Sequence, residues 1–204
     1  MPKITAITKQ SNNNYFVNIF LDGGYSFSVT LDSLMSNGLK VGVELSEKDI
    51  EKIKFSAEND KAAKKGLTYV SKSFKTKKQV KDYLISKGFS IQSVLFAIDK
   101  LTEFGYIDDV EYARRYIETY SSTQGKRLME YKLMMKGIKK SDILAAEENF
   151  DFSSKENALK IAERRLFNKE ITKELLSKTF RYLVGKGFSY EDAEYAISHF
   201  KENN

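Results

Sequence analysis

The chain of 204 residues has no cysteine, one proline, one histidine and no long apolar run. Without cysteine there are no disulfides and no thiolate zinc sites. The single proline is Pro2, so proline breaks no helix further on. His199 has no second histidine or cysteine near it, which removes the usual metal-ligand and general-base arrangements. No apolar stretch approaches the ~20 residues a bilayer span needs, and no signal peptide opens the chain. The expectation is a cytoplasmic protein with no membrane partner. A glycine-rich phosphate loop, a nucleophile elbow and a Walker lysine are also missing. Asp108-Asp109 resembles the acidic pair of a metal-dependent nuclease, but no third carboxylate follows at useful spacing. Helix capping gives the pair a sufficient role. The reading is a binding protein, not an enzyme, with no catalytic, cofactor-binding or metal-binding residues.

What the chain does have is charge, unevenly placed. Its formal net charge is +6. Residues 1–60 carry six lysines against eight acidic residues, and residues 88–204 carry nineteen charges of each sign. Residues 61–87 carry nine lysines and one aspartate. The positive excess therefore sits in one window, and focused charge points to an anionic partner more than to solubility.

It also has a repeat. Tyr83 to Leu101 (YLISKGFSIQSVLFAIDKL), Lys132 to Phe150 (KLMMKGIKKSDILAAEENF) and Tyr182 to Phe200 (YLVGKGFSYEDAEYAISHF) align without a gap. Each has an apolar helical lead-in, then Lys-Gly-apolar, then a second segment at helical spacing. Lysine suits the negative end of a helix dipole, and the glycine can take the left-handed conformation past a helix C-terminus. The pattern predicts positive φ at Gly88, Gly137 and Gly187. Ser90 caps the next helix, and Ser189 with Asp192 forms a variant capping box. A period of about fifty residues, each period mostly helical, argues for a tandem array rather than one bundle.

Ahead of the repeats, Tyr15, Val17, Ile19 and Leu21 alternate, as do Tyr25, Phe27 and Val29, so both runs read as strands with one buried face. Ile4 and Ile7 belong to a first strand. Turns fall at Ser11-Asn12-Asn13-Asn14 and Asp22-Gly23-Gly24, giving a three-stranded meander. Leu31 to Ser36 reads as a short helix stopped by Asn37-Gly38. Ser46 and Asp49 open a helix through Ile50, Ile53 and Ala57, with Glu58-Asn59-Asp60 as an expected break. A further helix through Leu67, Val70 and Phe74 begins the first repeat. Its counterparts are Val110 to Tyr120, with Asp108 or Asp109 as cap, and Lys155 to Phe167, with Ser153 and Ser154 as cap candidates. The expected divisions are 1–60 (sheet plus helix), 61–107, 108–152 and 153–204 (three three-helix repeats). The fold class is mainly α with a small N-terminal antiparallel sheet.

The candidate binding residues are basic. Lys75, Lys77, Lys78 and Lys81 surround the start of a helix, where positive charge opposes the helix dipole. Phosphate contact, with the helix N-terminal amides contributing, would account for them. Arg114, Arg115, Lys126, Arg127, Arg164 and Arg165 follow in the later repeats.

These residues resemble those of the RecX family, bacterial regulators that modulate the RecA recombinase. Lys75-Thr76-Lys77-Lys78-Gln79-Val80-Lys81-Asp82-Tyr83-Leu84 followed by Lys87-Gly88-Phe89 is similar to the family's first-repeat motif. Lys75-Thr76 stands where Arg-Ser is usual, so a point charge replaces a bidentate fork. Gly105-Tyr106-Ile107-Asp108-Asp109 with Tyr112-Ala113 and Tyr116-Ile117 resembles the most specific family signature. Gln124-Gly125-Lys126-Arg127, leading to Leu133 and Lys136-Gly137-Ile138, is similar to the second-repeat motif. The likeness covers about residues 60–200, and the N-terminal strands resemble the extension of Gram-positive-type members. It implies three tandem three-helix repeats in an elongated, curved array. The implied activity is binding of RecA filaments on single-stranded DNA, most often limiting them, by a monomer whose lysine window faces the phosphate backbone. The alternative is a sequence-independent nucleic-acid binder without a dedicated protein partner.

Overall fold

The computed structural model describes residues 1–10 and 13–201. They form two compact units: residues 1–74 with 80–107, and residues 75–79 with the described part from Asp108 on.

The first unit opens with a three-stranded antiparallel sheet in the order β1 (Ile4–Gln10), β2 (Asn13–Leu21), β3 (Gly24–Thr30). Asp22 and Gly23 both take positive φ (49° and 88°), the two-residue hairpin turn whose twist matches the strands. Of the turn expected at 11–14, residues 11 and 12 lie outside the described residues and Asn13 and Asn14 belong to β2. Ile4, Val17, Ile19, Phe27 and Val29 form the buried face, whereas Tyr15 at 68 % exposure lies beyond it. Helix α1 (Leu31–Ser36) is capped by the Thr30 hydroxyl and stops at Asn37 and Gly38.

Ser46 and Asp49 cap each other at the start of α2 (Glu47–Val70). The expected break at Glu58-Asn59-Asp60 is not there, and α2 runs through it. Weak helix propensity, well under 1 kcal/mol per residue, yields to tertiary partners. Glu58 accepts the Ser90 N–H at 2.7 Å and Asp60 accepts the Thr30 hydroxyl at 3.3 Å. Ile50, Ile53 and Ala57 pack under the sheet, while Ala62 enters the next core. One helix thus serves both the sheet and the first repeat. It ends at Val70, so Phe74, expected within it, lies outside and is 56 % exposed. Helix α3 (Lys77–Ser86) places Val80 and Leu84 in the same core, and α4 (Ile91–Glu103), capped by Ser90, adds Val94, Ala97, Ile98 and Leu101.

The second unit holds α5 (Asp109–Tyr120), α6 (Lys126–Met135) and α7 (Lys140–Glu147), then α8 (Ser154–Leu166), α9 (Lys173–Gly185) and α10 (Tyr190–Lys201). Each triplet encloses its own core. Ala113, Ile117, Leu133, Ile138, Ile143 and Ala146 form one; Ala158, Ala162, Leu183, Phe188, Ala193 and Ala196 form the other. Ile138 and Phe188, the residues after Lys-Gly, enter those cores. Gly88, Gly137 and Gly187 have φ of 83°, 86° and 90°, as the repeated stop signal requires. Asp108 caps α5 through the Val110 and Glu111 amides, and Ser189 with Asp192 forms the capping box of α10. At α8 the side chain of Ser153 does not cap. Its backbone is left-handed (φ 41°), and its N–H and hydroxyl both go to Asp151.

Candidate nucleic-acid interface

Thr76 is buried at the start of α3. Its hydroxyl donates to the Lys136 carbonyl at 2.9 Å and accepts the Gln79 N–H at 3.2 Å, while Gln79 Oε1 accepts the Thr76 N–H at 3.0 Å. This is a capping box. The Lys77 N–H donates to Asp109 Oδ1 at 2.9 Å. The Thr76, Lys77 and Gln79 amides are therefore already satisfied, which corrects the expectation that helix N-terminal amides would share phosphate with the lysines. Burial pushes the Asp109 carboxyl above the usual range, against the pull of the Lys77 amide and charge. Lys77, Lys78 and Lys81 are exposed and Lys75 is half-buried. Lys78 lays its aliphatic stem on Gly137, where a Cβ would come within 2.4 Å of it, and its Nζ lies 3.4 Å from the Met135 carbonyl.

The same joint recurs one repeat later. Gly125 donates its N–H to the Lys186 carbonyl at 2.9 Å, and Arg127 donates its N–H to the Gly187 carbonyl at 3.3 Å. In each case the N-terminus of a middle helix docks on the Lys-Gly turn of the following repeat. From sequence Gly137 and Gly187 read as helix stops only, and Gly125 as part of the Gln124-Gly125-Lys126-Arg127 motif; nothing in either stretch signals the contact.

The later basic residues differ in what holds them. Arg114 and Arg115 both bind Glu111 at 2.7 Å, and the Arg115 hydrogen bond, then that of Arg114, holds the Glu111 carboxyl below its usual range. Lys126 reaches Glu147 at 2.9 Å and Glu130 at 3.8 Å. The Glu147 side chain is only 6 % exposed, and burial pushes its carboxyl upward; the bond to it holds Lys126 firmly charged. Arg127 and Arg164 are exposed and make no ion pair among the described residues.

Arg164 and Arg165 line a cleft of about 430 Å³ with Lys169, Lys186, Tyr182, Thr123 and Ile161. Lys169 and Lys186 were missed from sequence, the first because it lies in a turn and the second because it read as part of a stop signal. In the first unit, Lys61, Lys64 and Lys65 line a smaller cleft with Phe16 and Phe89, and Lys64 Nζ stands 3.7 Å from the Tyr15 ring centre. These three belong to the lysine window but were not among the candidates. The acidic pair has structural occupations, Asp108 as cap and Asp109 on the Lys77 amide. His199 Nδ1 lies 2.8 Å from the Tyr195 carbonyl of its own helix. No helix among the described residues is long and apolar enough to cross a membrane.

Three-helix repeats behind an N-terminal meander, with basic clusters along them, define a tandem helical-repeat protein. The family model for the regulatory protein RecX N-terminal domain matches residues 2–46, and that for the RecX third three-helix domain matches residues 154–197. The regulatory protein RecX of Bacillus licheniformis is 37 % identical, covering 100 % of this chain and 80 % of its own. That of Clostridium botulinum (strain Alaska E43) is 33 % identical, covering 94 % of this chain and 92 % of its own. A crystal structure of regulatory protein RecX matches with a TM-score of 0.78 at 29 % identity, over 97 % of this chain and 100 % of that one. The chain belongs to the RecX family of regulatory proteins.

Proposed function

We propose that this protein binds RecA recombinase filaments on single-stranded DNA and lowers their activity, acting by contact rather than by catalysis, as a cytoplasmic monomer. The observation that carries the DNA part is the set of basic side chains that make no ion pair among the described residues: Lys77, Lys78 and Lys81 on α3, Arg127 on α6, and Arg164 with Arg165 on α8. Arg114, Arg115, Lys126 and Lys75 belong to the same proposed surface, the first three tempered by Glu111, Glu130 and Glu147. Full-length likeness to regulatory RecX proteins supports the recombinase as partner. The working divisions are the sheet with its helix (1–60) and the repeats 61–107, 108–152 and 153–204. Because α2 crosses the first boundary, the sheet and first repeat respond together. Several modest phosphate contacts on linked repeats reinforce one another through effective concentration.

The test is filament disassembly on single-stranded DNA, with and without the protein, while a competitor saturates free-DNA binding. Faster loss of filament, or slower strand exchange, supports the proposal. Loss of every effect under competitor supports the second reading, a sequence-independent nucleic-acid binder, which the unpaired cations favour equally.

A further inference from the structure

The third repeat differs from the first beside one tyrosine ring. In the first repeat the Tyr83 ring stacks on Tyr69, with centres 4.0 Å apart and planes 9° from parallel, and Lys87 Nζ lies 5.4 Å from the same ring. In the third, Tyr182 and Lys186 stand where Tyr83 and Lys87 stand, and Lys186 Nζ again lies 5.4 Å from the ring. The partner is different: the Arg165 guanidinium lies 4.3 Å from the Tyr182 ring centre. An aromatic ring fills this place in the first repeat, so packing does not require a charge there. Arg165 Nε is moreover shut off from solvent and has no hydrogen-bond partner, an arrangement that weakens the fold unless something completes it.

Three more cations surround that arginine. Arg164, Lys169 and Lys186 line the same cleft, and none of the four makes an ion pair among the described residues. Lys169 Nζ donates to the Arg165 carbonyl at 2.7 Å, which fixes its ammonium beside the guanidinium. Four like charges held together without a carboxylate repel one another, and an anion removes that repulsion.

We propose that this cleft between α8 and α9 is a binding site for the phosphate groups of a single-stranded nucleic acid. Arg165 supplies the forked donor, and a small rotation of its side chain lets Nε–H share a phosphate oxygen. Arg164, Lys169 and Lys186 neutralise neighbouring phosphates. The inference rests on the DNA-binding reading above and locates it in the third repeat.

The experiment uses the full chain and a labelled oligodeoxythymidine lacking terminal phosphate, titrated by anisotropy over a range of salt. The triple variant Arg164→Gln/Lys169→Gln/Lys186→Gln should lower the log–log salt slope by about 2, at roughly 0.7 per lost contact on a single strand. Arg165→Tyr, which rebuilds the first repeat's stack, should lower it by ~0.7 with the melting temperature unchanged. The Arg165 Nε–H resonance should shift as the oligonucleotide is added. Inorganic tripolyphosphate separates the two layers. If the wild type ignores the oligonucleotide but tripolyphosphate shifts that resonance saturably, the general DNA reading and the nucleic-acid assignment both fail, and only an anion site survives. Wild-type slopes in the triple variant, or a resonance unmoved by either probe, overturn the proposal. Should Arg165→Tyr unfold, the triple variant decides, since none of its three side chains is buried.

Discussion

Replacing Gly125 by alanine tests the inter-repeat joint most sharply. Gly125 has φ −74° and ψ 159°, an ordinary extended conformation, so alanine meets no backbone strain there. What it meets is backbone: an added Cβ would lie 2.1 Å from the Gly187 carbonyl carbon and 2.2 Å from both Gly187 O and Phe188 N. Non-bonded carbons rest at about 3.5–4 Å, so the joint must open by more than an ångström. Opening removes the Gly125-to-Lys186 and Arg127-to-Gly187 hydrogen bonds, each contributing about 0.5–1.5 kcal/mol, together with local packing. The expected destabilisation is about 2–4 kcal/mol. Gly88→Ala provides the contrast. Its φ is +83° and an added Cβ would meet nothing within 4 Å among the described residues, so only the left-handed backbone matters, about 1–2 kcal/mol. Gly187→Ala combines both effects, since its Cβ would meet the Leu128 backbone N at 2.5 Å. Urea denaturation followed by circular dichroism measures all three, read as midpoint shifts at constant slope. A wild-type midpoint for Gly125→Ala, or equal damage from Gly88→Ala and Gly187→Ala, would refute the joint as the source of the cost.

Three further outcomes follow from the electrostatics. Asp108→Ala removes the acceptor for the Val110 and Glu111 amides and should destabilise by ~0.5–2 kcal/mol in the same urea assay, with no change on adding divalent ions. Asp109 is raised by burial, so the folded state holds its proton above the ordinary aspartate pKa, and its ionisation lowers stability as pH rises through that window. Asp109→Asn keeps an acceptor for Lys77 without titrating, and its stability relative to wild type should improve from acid to neutral pH; an unchanged or opposite difference refutes this. Lys126→Ala strands the buried Glu147 carboxylate and should destabilise by about 1–3 kcal/mol, the partly exposed lysine reducing the penalty of a fully buried pair, while Lys126→Arg keeps most of the stability.

Much of the architecture was legible because its signals are local. Alternation in β2 and β3, Asp22-Gly23, the serine and aspartate caps and the Lys-Gly stops each act within a few residues. The misses are those where a tertiary partner or an unusual backbone conformation decides. Glu58-Asn59-Asp60 reads as a break until Ser90 and Thr30 are known to bind Glu58 and Asp60. Ser153 reads as a cap until its left-handed backbone turns the side chain to Asp151. The basic candidates were legible as charge but not as available charge. The i,i+3 and i,i+4 spacing of Glu111 to Arg114 and Arg115 is a local sign of pairing, but nothing local tells that Lys126 binds the buried Glu147 side chain of the next helix. Lys169 and Lys186 escaped because a cleft assembles residues that a linear search keeps apart.

The joint also changes what the lysines of α3 mean. Positive charge at a helix N-terminus opposes the dipole, which from sequence alone suggests that stability has no use for Lys75, Lys77 and Lys78. In the structure the first turn of α3 docks on the last turn of α6, whose carbonyls form a negative helix end. Thr76 donates to the Lys136 carbonyl, and Lys78 Nζ approaches the Met135 carbonyl. Cations near a helix C-terminus are favourable by about 0.3–1 kcal/mol, so Lys78 has a structural use that Lys77 and Lys81 lack. The three should therefore separate. Lys78→Ala should lower stability by ~0.5–1 kcal/mol, through the lost carbonyl contact and the stem packed on Gly137. Lys77→Ala and Lys81→Ala should leave stability unchanged and each lower the single-strand salt slope by ~0.7. The measurement pairs urea melts with salt titrations on one oligonucleotide. Equal melts for all three variants would remove the structural role of Lys78, and unchanged slopes for Lys77→Ala and Lys81→Ala would remove α3 from the phosphate surface.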